Sequence, residues 1–268
     1  MMRRRFPVLA QGLRDRRRSL VWWSLGVTVY IAIIAAVWPS MRGATDLSGL
    51  LDQLPQALLD MMGASDYSLS TGAGYVSGEL FGFMIPIFIL VLTIGAGAGA
   101  IGGAEERGTL DLVLAQPITR RRVLLQSAAL VAVDAALFGA VIVVALAIAD
   151  PLADLQIGAT NLLGAVAGIV LLGIVFGWFA LTLGAATGSR SIALGVSGGL
   201  AALTYLAGNL SGLVGFLHWA KWVSPFWYAT NGSPLDRGWI WWHALPLMGV
   251  AVVLLAAGVA ALERRDLV

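Results

Sequence analysis

The sequence predicts an all-α polytopic membrane protein with six transmembrane helices. Of its 268 residues, 59% are hydrophobic and only 12% are charged, whereas about a quarter of the residues in a soluble domain are Asp, Glu, Lys or Arg. So little charge does not cover a soluble globule, which argues against a cytosolic enzyme. The apolar runs are continuous and do not alternate at every second residue, so they indicate helices and not a membrane β-barrel.

Six apolar stretches are long enough to cross a hydrocarbon core of about 30 Å, which takes about 20 helical residues. In chain order they cover residues 20–38, 80–103, 124–149, 162–187, 192–217 and 239–262. The stretches between them are short compared with a globular domain. We therefore expect residues 1–268 to form a single transmembrane domain.

The basic residues predict the orientation of these spans. Seven arginines precede the first span, four lie between the second and third, one lies between the fourth and fifth, and two follow the sixth. The other side has only Arg42, Lys221 and Arg237. Because Lys and Arg are concentrated in cytoplasmic loops, both termini are predicted to be cytoplasmic. This sorting by side also explains the basic isoelectric point without a nucleic-acid partner.

Residues 1–19 are predicted to be a cytoplasmic interfacial segment. A basic helix over 6–18 would lie on anionic lipid of the inner leaflet. Trp22 and Trp23 would anchor the inner edge of the first span, since tryptophan favours the membrane interface.

Two external segments are predicted. Residues 39–79 are acidic and carry leucines at helical spacing, a pattern that Leu58, Met61 and Met62 continue after Pro55. This predicts short helices packed as an external cap, with a ligand site as the alternative. Residues 218–238 combine an aromatic cluster with Pro225 and Pro234. Because aromatic rings favour the headgroup level, this segment is predicted to be a re-entrant hairpin in the outer leaflet.

The cytoplasmic loop over 104–123 is the most specific segment of the chain. Thr109 is suited to cap a helix whose apolar positions are Leu110, Val113 and Leu114. Pro117 ends that helix. The result is a short amphipathic helix at the membrane surface, whose apolar stripe needs a partner groove or lipid.

This loop resembles that of type-2 ABC exporter permeases, which reads Glu-Glu-x-Gly-Thr-Leu, then leucines, then Pro-(Ile/Val)-(Ser/Thr)-Arg. Here the same stretch runs from Glu105 to Arg120. The ending Glu-Arg-Arg-Asp-Leu over 263–267 is similar to the tail of many such subunits, and Ser-Pro-Phe over 224–226 also resembles the family.

The resemblance implies that the loop contains a coupling helix seated in a groove of a separate ATPase. The charged residues would form the rim of that contact and the apolar ones would fill the groove. Two ATPase subunits would bind ATP and Mg, a second permease subunit would complete the pathway, and this chain would bind no cofactor. We expect a homodimer, with a heterodimer as the alternative. The implied ATPase-coupling residues are Glu105, Glu106, Arg107, Gly108, Thr109, Leu110, Val113 and Leu114.

The predicted function is that of the permease subunit of an ATP-driven exporter in the bacterial inner membrane. Its cargo would be an amphipathic or hydrophobic molecule such as a drug, an antibiotic or a lipid. No catalytic site is expected in this chain: the P-loop requires Gly-Lys-(Ser/Thr), and the only lysine, Lys221, follows Ala220. With no cysteine, thiolate chemistry and Cys-based metal sites are excluded.

Asp134 is the one carboxyl well inside a predicted span. A charge there is costly, so it is expected to face the bundle interior, either in a translocation pathway or as a structural group sharing hydrogen bonds. With no Lys or Arg inside the spans, the expected partners are Thr182, Thr204, Tyr205 and Asn209. The alternative function is an ion-gradient-driven secondary transporter or channel that uses Asp134, and an immunity or assembly protein without transport is a third.

Glycines at four-residue spacing in the second span predict close helix packing. Gly95, Gly99 and Gly103 form such a stripe, and small residues at this spacing let membrane helices approach each other. The spacing does not distinguish contacts within one chain from contacts between subunits.

Overall fold

The computed structural model describes residues 7–42, 71–110, 118–210 and 219–265, and nearly all of them are helical. Within these ranges, six helices are long and apolar enough to cross a membrane, which confirms the predicted all-α fold. The helices are α1 (Pro7–Arg42), α2 (Gly72–Ala100), α3 (Gly102–Glu106), α4 (Arg120–Ala153), α5 (Ala159–Thr187), α6 (Arg190–Leu210), α7 (Pro225–Thr230) and α8 (Ala244–Arg264).

Helix α5 is the centre of the bundle. It packs against α2, α4, α6, α7 and α8, whereas α1 lies at the edge and packs mainly on α4. The sequence of α5 suits this position because its glycines allow close approach. At Gly168, for example, an added Cβ would lie 2.6 Å from the Ala229 carbonyl oxygen. A helix that is apolar on all sides is typical of such a buried position.

Helix α2 begins earlier than predicted. It starts at Gly72, where Thr71 caps it by accepting a hydrogen bond from the Gly74 amide at 3.0 Å. The sequence predicts that residues 72–79 belong to the external segment, because glycine, serine and Glu79 lower their hydropathy. In the structure, most of these residues are buried. The stretch Ser77–Met84 is π-helical. The remainder of the predicted external cap, at 43–70, lies outside the described residues.

Helix α1 is continuous over 36 residues, a length of about 54 Å. The structure therefore differs from the predicted separate surface helix over 6–18, which is here the first part of α1. Gly12 permits α1 to run close to α4, because a Cβ at this position would meet the side chain of Leu130. Between Gly12 and the apolar run that begins at residue 20, the helix contains neither a proline nor a glycine that would interrupt it.

The two ends of the bundle are held by different segments. At one end, which we call the basic end, residues 105–106, 189–191 and 265 contact one another. At the opposite end, the Asn161 side-chain amide donates to the carbonyl oxygens of Leu235 and Asp236, both at 3.2 Å. Ser77 accepts from the Leu235 amide at 3.3 Å. Segments that were predicted to share a membrane side thus meet at the same end.

Residues 219–243, at the opposite end, form turns and short helices, among them α7. Phe226 of α7 is buried against Phe176 and Tyr205, with ring centroids 5.7 and 5.3 Å apart. Trp239 is also buried and donates to the Tyr228 carbonyl at 2.9 Å. Four other tryptophans are more than half exposed: Trp219, Trp222, Trp241 and Trp242. Re-entry of this segment into the membrane stays a prediction.

Candidate functional site

The loop that follows α2 is joined to the end of α8 by an ion pair. The Arg265 guanidinium donates to both oxygens of Glu105, at 2.6 and 2.8 Å. Arg120, at the start of α4, donates to the Arg265 carbonyl at 2.6 Å. Bidentate Arg–carboxylate pairs are geometrically specific, so Glu105 fixes the position of α3 relative to the last helix.

Glu106 joins the same loop to the start of α6. Its carboxylate accepts hydrogen bonds from the Arg190 amide at 2.8 Å and the Ser189 hydroxyl at 3.0 Å. The first amides of a helix have no partner within it, and a negative charge there is favourable. These bonds, the one from the Arg190 backbone first, lower the pKa of Glu106 below its ordinary value. We call Glu105, Glu106, Arg120, Arg190 and Arg265 the basic-end junction.

The structure assigns Leu110 a different position from the expected one. Leu110 is only 3% exposed and packs in the chain's own core beside Ile101, Leu124 and Leu262, so its side chain is not presented to a partner. The Thr109 hydroxyl donates to the Ala104 carbonyl at 3.0 Å and closes the turn at Gly108, whose φ is +64°.

The other predicted coupling residues fall into two groups. Arg107, Gly108 and Thr109 are exposed. Val113 and Leu114, with the rest of the predicted coupling helix over 111–117, lie outside the described residues. Glu105 and Glu106, which are expected on the charged rim of the docking contact, both bond within the chain at the basic-end junction, and their contact with an ATPase stays a prediction.

Asp134 lies inside the bundle and is paired with Arg16, one of the arginines in the segment predicted to lie on the membrane surface. The Arg16 Nε donates to Asp134 Oδ2 at 2.5 Å, and an Arg16 Nη donates to the Leu92 carbonyl at 3.1 Å. The Asp134 side chain is fully buried, whereas that of Arg16 is 23% exposed. The prediction that no arginine pairs with Asp134 was therefore wrong.

Three of the expected polar partners of Asp134 bond elsewhere. The hydroxyls of Thr182 and Thr204 donate to the carbonyls of Leu254 and Leu200 in neighbouring turns or helices. The Tyr205 hydroxyl donates to Gly82 O at 3.0 Å. Asp134 Oδ1 has no hydrogen-bond partner among the described residues. The ion pair with Arg16 is thus the main interaction that offsets the cost of burying the Asp134 carboxylate.

The predicted glycine stripe is only partly a packing surface of this chain. A Cβ at Gly95 or Gly99 would meet nothing within 4 Å, while one at Gly103 would lie 3.2 Å from Arg190. The close contact uses Gly97 instead, where a Cβ would collide with the carbonyl of Gly177 on α5. Neither Gly95 nor Gly99 is therefore a close-contact position among the described residues, and Gly95 lines a groove between α2 and α6.

An apolar groove lies between α2 and α6, and Phe226 of α7 also lines it. It has a volume of about 540 Å³. Phe83, Leu90 and Gly95 line one wall and Leu194 and Ala201 the other. Among its described lining residues only Tyr205 carries a polar side-chain group, and Asp134 does not line it. We call this cavity the α2–α6 groove.

No group of three or more His, Asp or Glu side chains among the described residues is placed to hold a metal ion. A family model described as "ABC-2 family transporter protein" matches residues 6–267, nearly the whole chain. No curated protein matches the chain.

Proposed function

Because the chain belongs to the ABC-2 family of transporter proteins, and is therefore an ABC transporter permease, we propose that it is the membrane subunit of an exporter driven by a separate ATPase. The observation that carries this proposal is the family match over residues 6–267. The six long apolar helices supply a multi-pass membrane domain. We propose the bacterial inner membrane as its location and two ATPase subunits and a second copy of this chain as its partners.

In this proposal the loop over 104–123 receives the motion of the ATPase. The part over 111–117 docks, with Val113 and Leu114 filling a groove of the ATPase. The basic-end junction then carries the displacement onward, because Glu105 is bonded to Arg265 beside α8 and Glu106 to the first amide of α6. A push on one loop is thereby distributed over α2, α4, α6 and α8, a rigid-element transition between two packed states.

The α2–α6 groove supports a hydrophobic or amphipathic cargo. Its walls are apolar apart from the Tyr205 hydroxyl, and ligand sites are typically apolar cavities with few polar groups. Movement of α6 through Glu106 would change the width of this groove. The alternative of an ion-gradient-driven transporter using Asp134 is disfavoured by the burial of that carboxylate against Arg16.

Affinity purification of the full chain in mild detergent tests the proposal. We expect an ABC ATPase to co-purify and its ATP hydrolysis to be stimulated by the reconstituted permease. Leu114→Asp should abolish co-purification by placing a charge in the docking contact. Leu110→Asp serves as the comparison, since it should instead destabilise the permease itself. A purified chain that moves solute with no ATPase present would overturn the proposal.

A further inference from the structure

A second cavity lies on the outside of the bundle, between α1 and α2. It has a volume of about 300 Å³ and is lined by Ser19, Trp22, Trp23, Gly26, Val27 and Phe88. Trp23 and Phe88 form its floor, with ring centroids 5.8 Å apart, while Trp22 is 71% exposed at its edge. Gly26 leaves the cavity open, because a Cβ there would meet nothing within 4 Å. We call this cavity the Trp22 groove.

The spacing of residues along α1 places the Trp22 groove near one face of a membrane. Trp38, which stacks on Tyr75 at 5.5 Å near the opposite end of the bundle, is 20 residues after Arg18. At 1.5 Å per residue, this separation is about 30 Å, the thickness of the hydrocarbon core. With Trp38 at one boundary, Arg18 reaches the headgroups of the other leaflet and the groove lies just inside its hydrocarbon.

Two arginines precede the groove along the same face of α1, on the headgroup side. Arg14, Arg18 and Trp22 are spaced four residues apart and therefore share one row of the helix surface. Arg14 and Arg18 are exposed, and among the described residues neither has a hydrogen bond or ion pair. Their neighbour Asp15 accepts a hydrogen bond from Gln11 at 2.9 Å, and Arg16 is turned inward to Asp134. Like charges at this spacing repel each other, so an anion between them is favoured.

We propose that the Trp22 groove and the Arg14–Arg18 pair bind an anionic phospholipid. The guanidinium groups hold the phosphate, which Arg recognises by charge-assisted hydrogen bonds, and the groove takes part of one acyl chain. A free phosphate would satisfy the arginines but leave the apolar groove uncovered. The continuity of charge and groove on one helix face therefore favours the lipid over a soluble anion.

Native mass spectrometry of the purified full chain tests this site with phosphatidylglycerol and phosphatidylcholine of identical acyl chains. We expect wild type to prefer phosphatidylglycerol. Arg14→Gln and Arg18→Gln should each reduce that preference about fivefold, the factor that corresponds to about 1 kcal/mol per arginine near an anionic surface. Gly26→Leu should weaken the binding of both lipids, because the leucine side chain fills the groove. Ser19→Leu is a second groove variant if the first does not fold.

Arg121→Gln is the matched control, because Arg121 is an exposed arginine at the start of α4 and does not line the groove. We expect it to keep the full preference. Equal binding of the two lipids by wild type, or an equal loss in Arg121→Gln, would overturn the site in favour of general charge attraction. Displacement of the lipid by inorganic phosphate, together with unchanged binding in the groove variants, would assign the arginines to a soluble anion instead.

Discussion

Asp134 and Arg16 show how the partner of a buried charge is encoded by helical phase. The buried positions of α1 recur every three or four residues, at 27, 31, 35 and 38, and the half-buried positions 23 and 20 continue this series backward. Extending this spacing backward by one step reaches Arg16. The sequence therefore contains the information that Arg16 faces the bundle. That information is lost when all N-terminal arginines are treated as one surface group. A single inward-facing member of a basic cluster is found only when each residue is assigned to a face.

The buried pair predicts strong coupling between two substitutions. Arg16→Leu leaves a fully buried carboxylate without its partner, and we expect a loss of about 3–5 kcal/mol in stability, the usual cost of breaking such a pair. Replacing both residues by leucine should recover most of this loss. Thermal unfolding of wild type, the two single variants and the double variant in detergent measures the coupling. Additive effects of the two substitutions would contradict it.

Glu106 predicts a pH-dependent contact at the basic-end junction. Its pKa in the folded chain is below the ordinary value of 4.5, so its bonds to the start of α6 stabilise the fold above that value and are lost as pH falls through the lowered one. Glu106→Gln should therefore lower the unfolding temperature at pH 7, and the difference from wild type should shrink below pH 4.5. A difference that is constant with pH would argue against this role.

At the scale of elements, the sequence of α2 predicts close packing at glycines, but it does not predict which glycines make the close contact. The run Gly-Ala-Gly-Ala-Gly over 95–99 offers two registers, because Gly95 and Gly99 are four residues apart and Gly97 lies between them. Sequence alone does not say which of them faces α5. In the folded chain Gly97 lies against the Gly177 carbonyl, whereas Gly95 and Gly99 have no close neighbour.

This choice of register gives a matched pair of variants. Gly97→Ala places a methyl group against the backbone of α5, and overpacking of this kind costs about 1–3 kcal/mol. Gly99→Ala meets open space and should gain up to about 1 kcal/mol, because alanine is the better helix former. Unfolding temperatures in detergent compare the two. A destabilised Gly99→Ala monomer, or a tolerated Gly97→Ala, would show that the register is different.

For the whole molecule, hydropathy and charge were sufficient to predict the class of fold, the six spans and which segments share an end. These properties depend on composition over windows of about 20 residues, so single residues do not alter them. The early start of α2 and the burial of Leu110 depend instead on tertiary contacts. A Cβ added at Gly72 would lie 2.8 Å from the Leu155 backbone. The local sequence pattern does not predict this neighbour.

The predicted orientation has a direct test, because the chain contains no cysteine. Single cysteines introduced as Arg121→Cys and Arg237→Cys lie at exposed positions of the basic end and the opposite end. In intact cells an impermeant maleimide should label only Arg237→Cys, and both should react after the membrane is opened. Labelling of Arg121→Cys from outside would place the termini on the external side and would reverse the direction of transport proposed above.

The π-helical stretch Ser77–Met84 carries Phe83, which lines one wall of the α2–α6 groove. Hydrogen bonds in a π-helix reach one residue further than in an α-helix. A change between the two patterns would rotate Phe83 about the helix axis while the rigid part of α2 below it kept its packing on α5. The Tyr205 hydroxyl bond to Gly82 ties this rotation to α6, so the two walls would reshape together around cargo of different outlines.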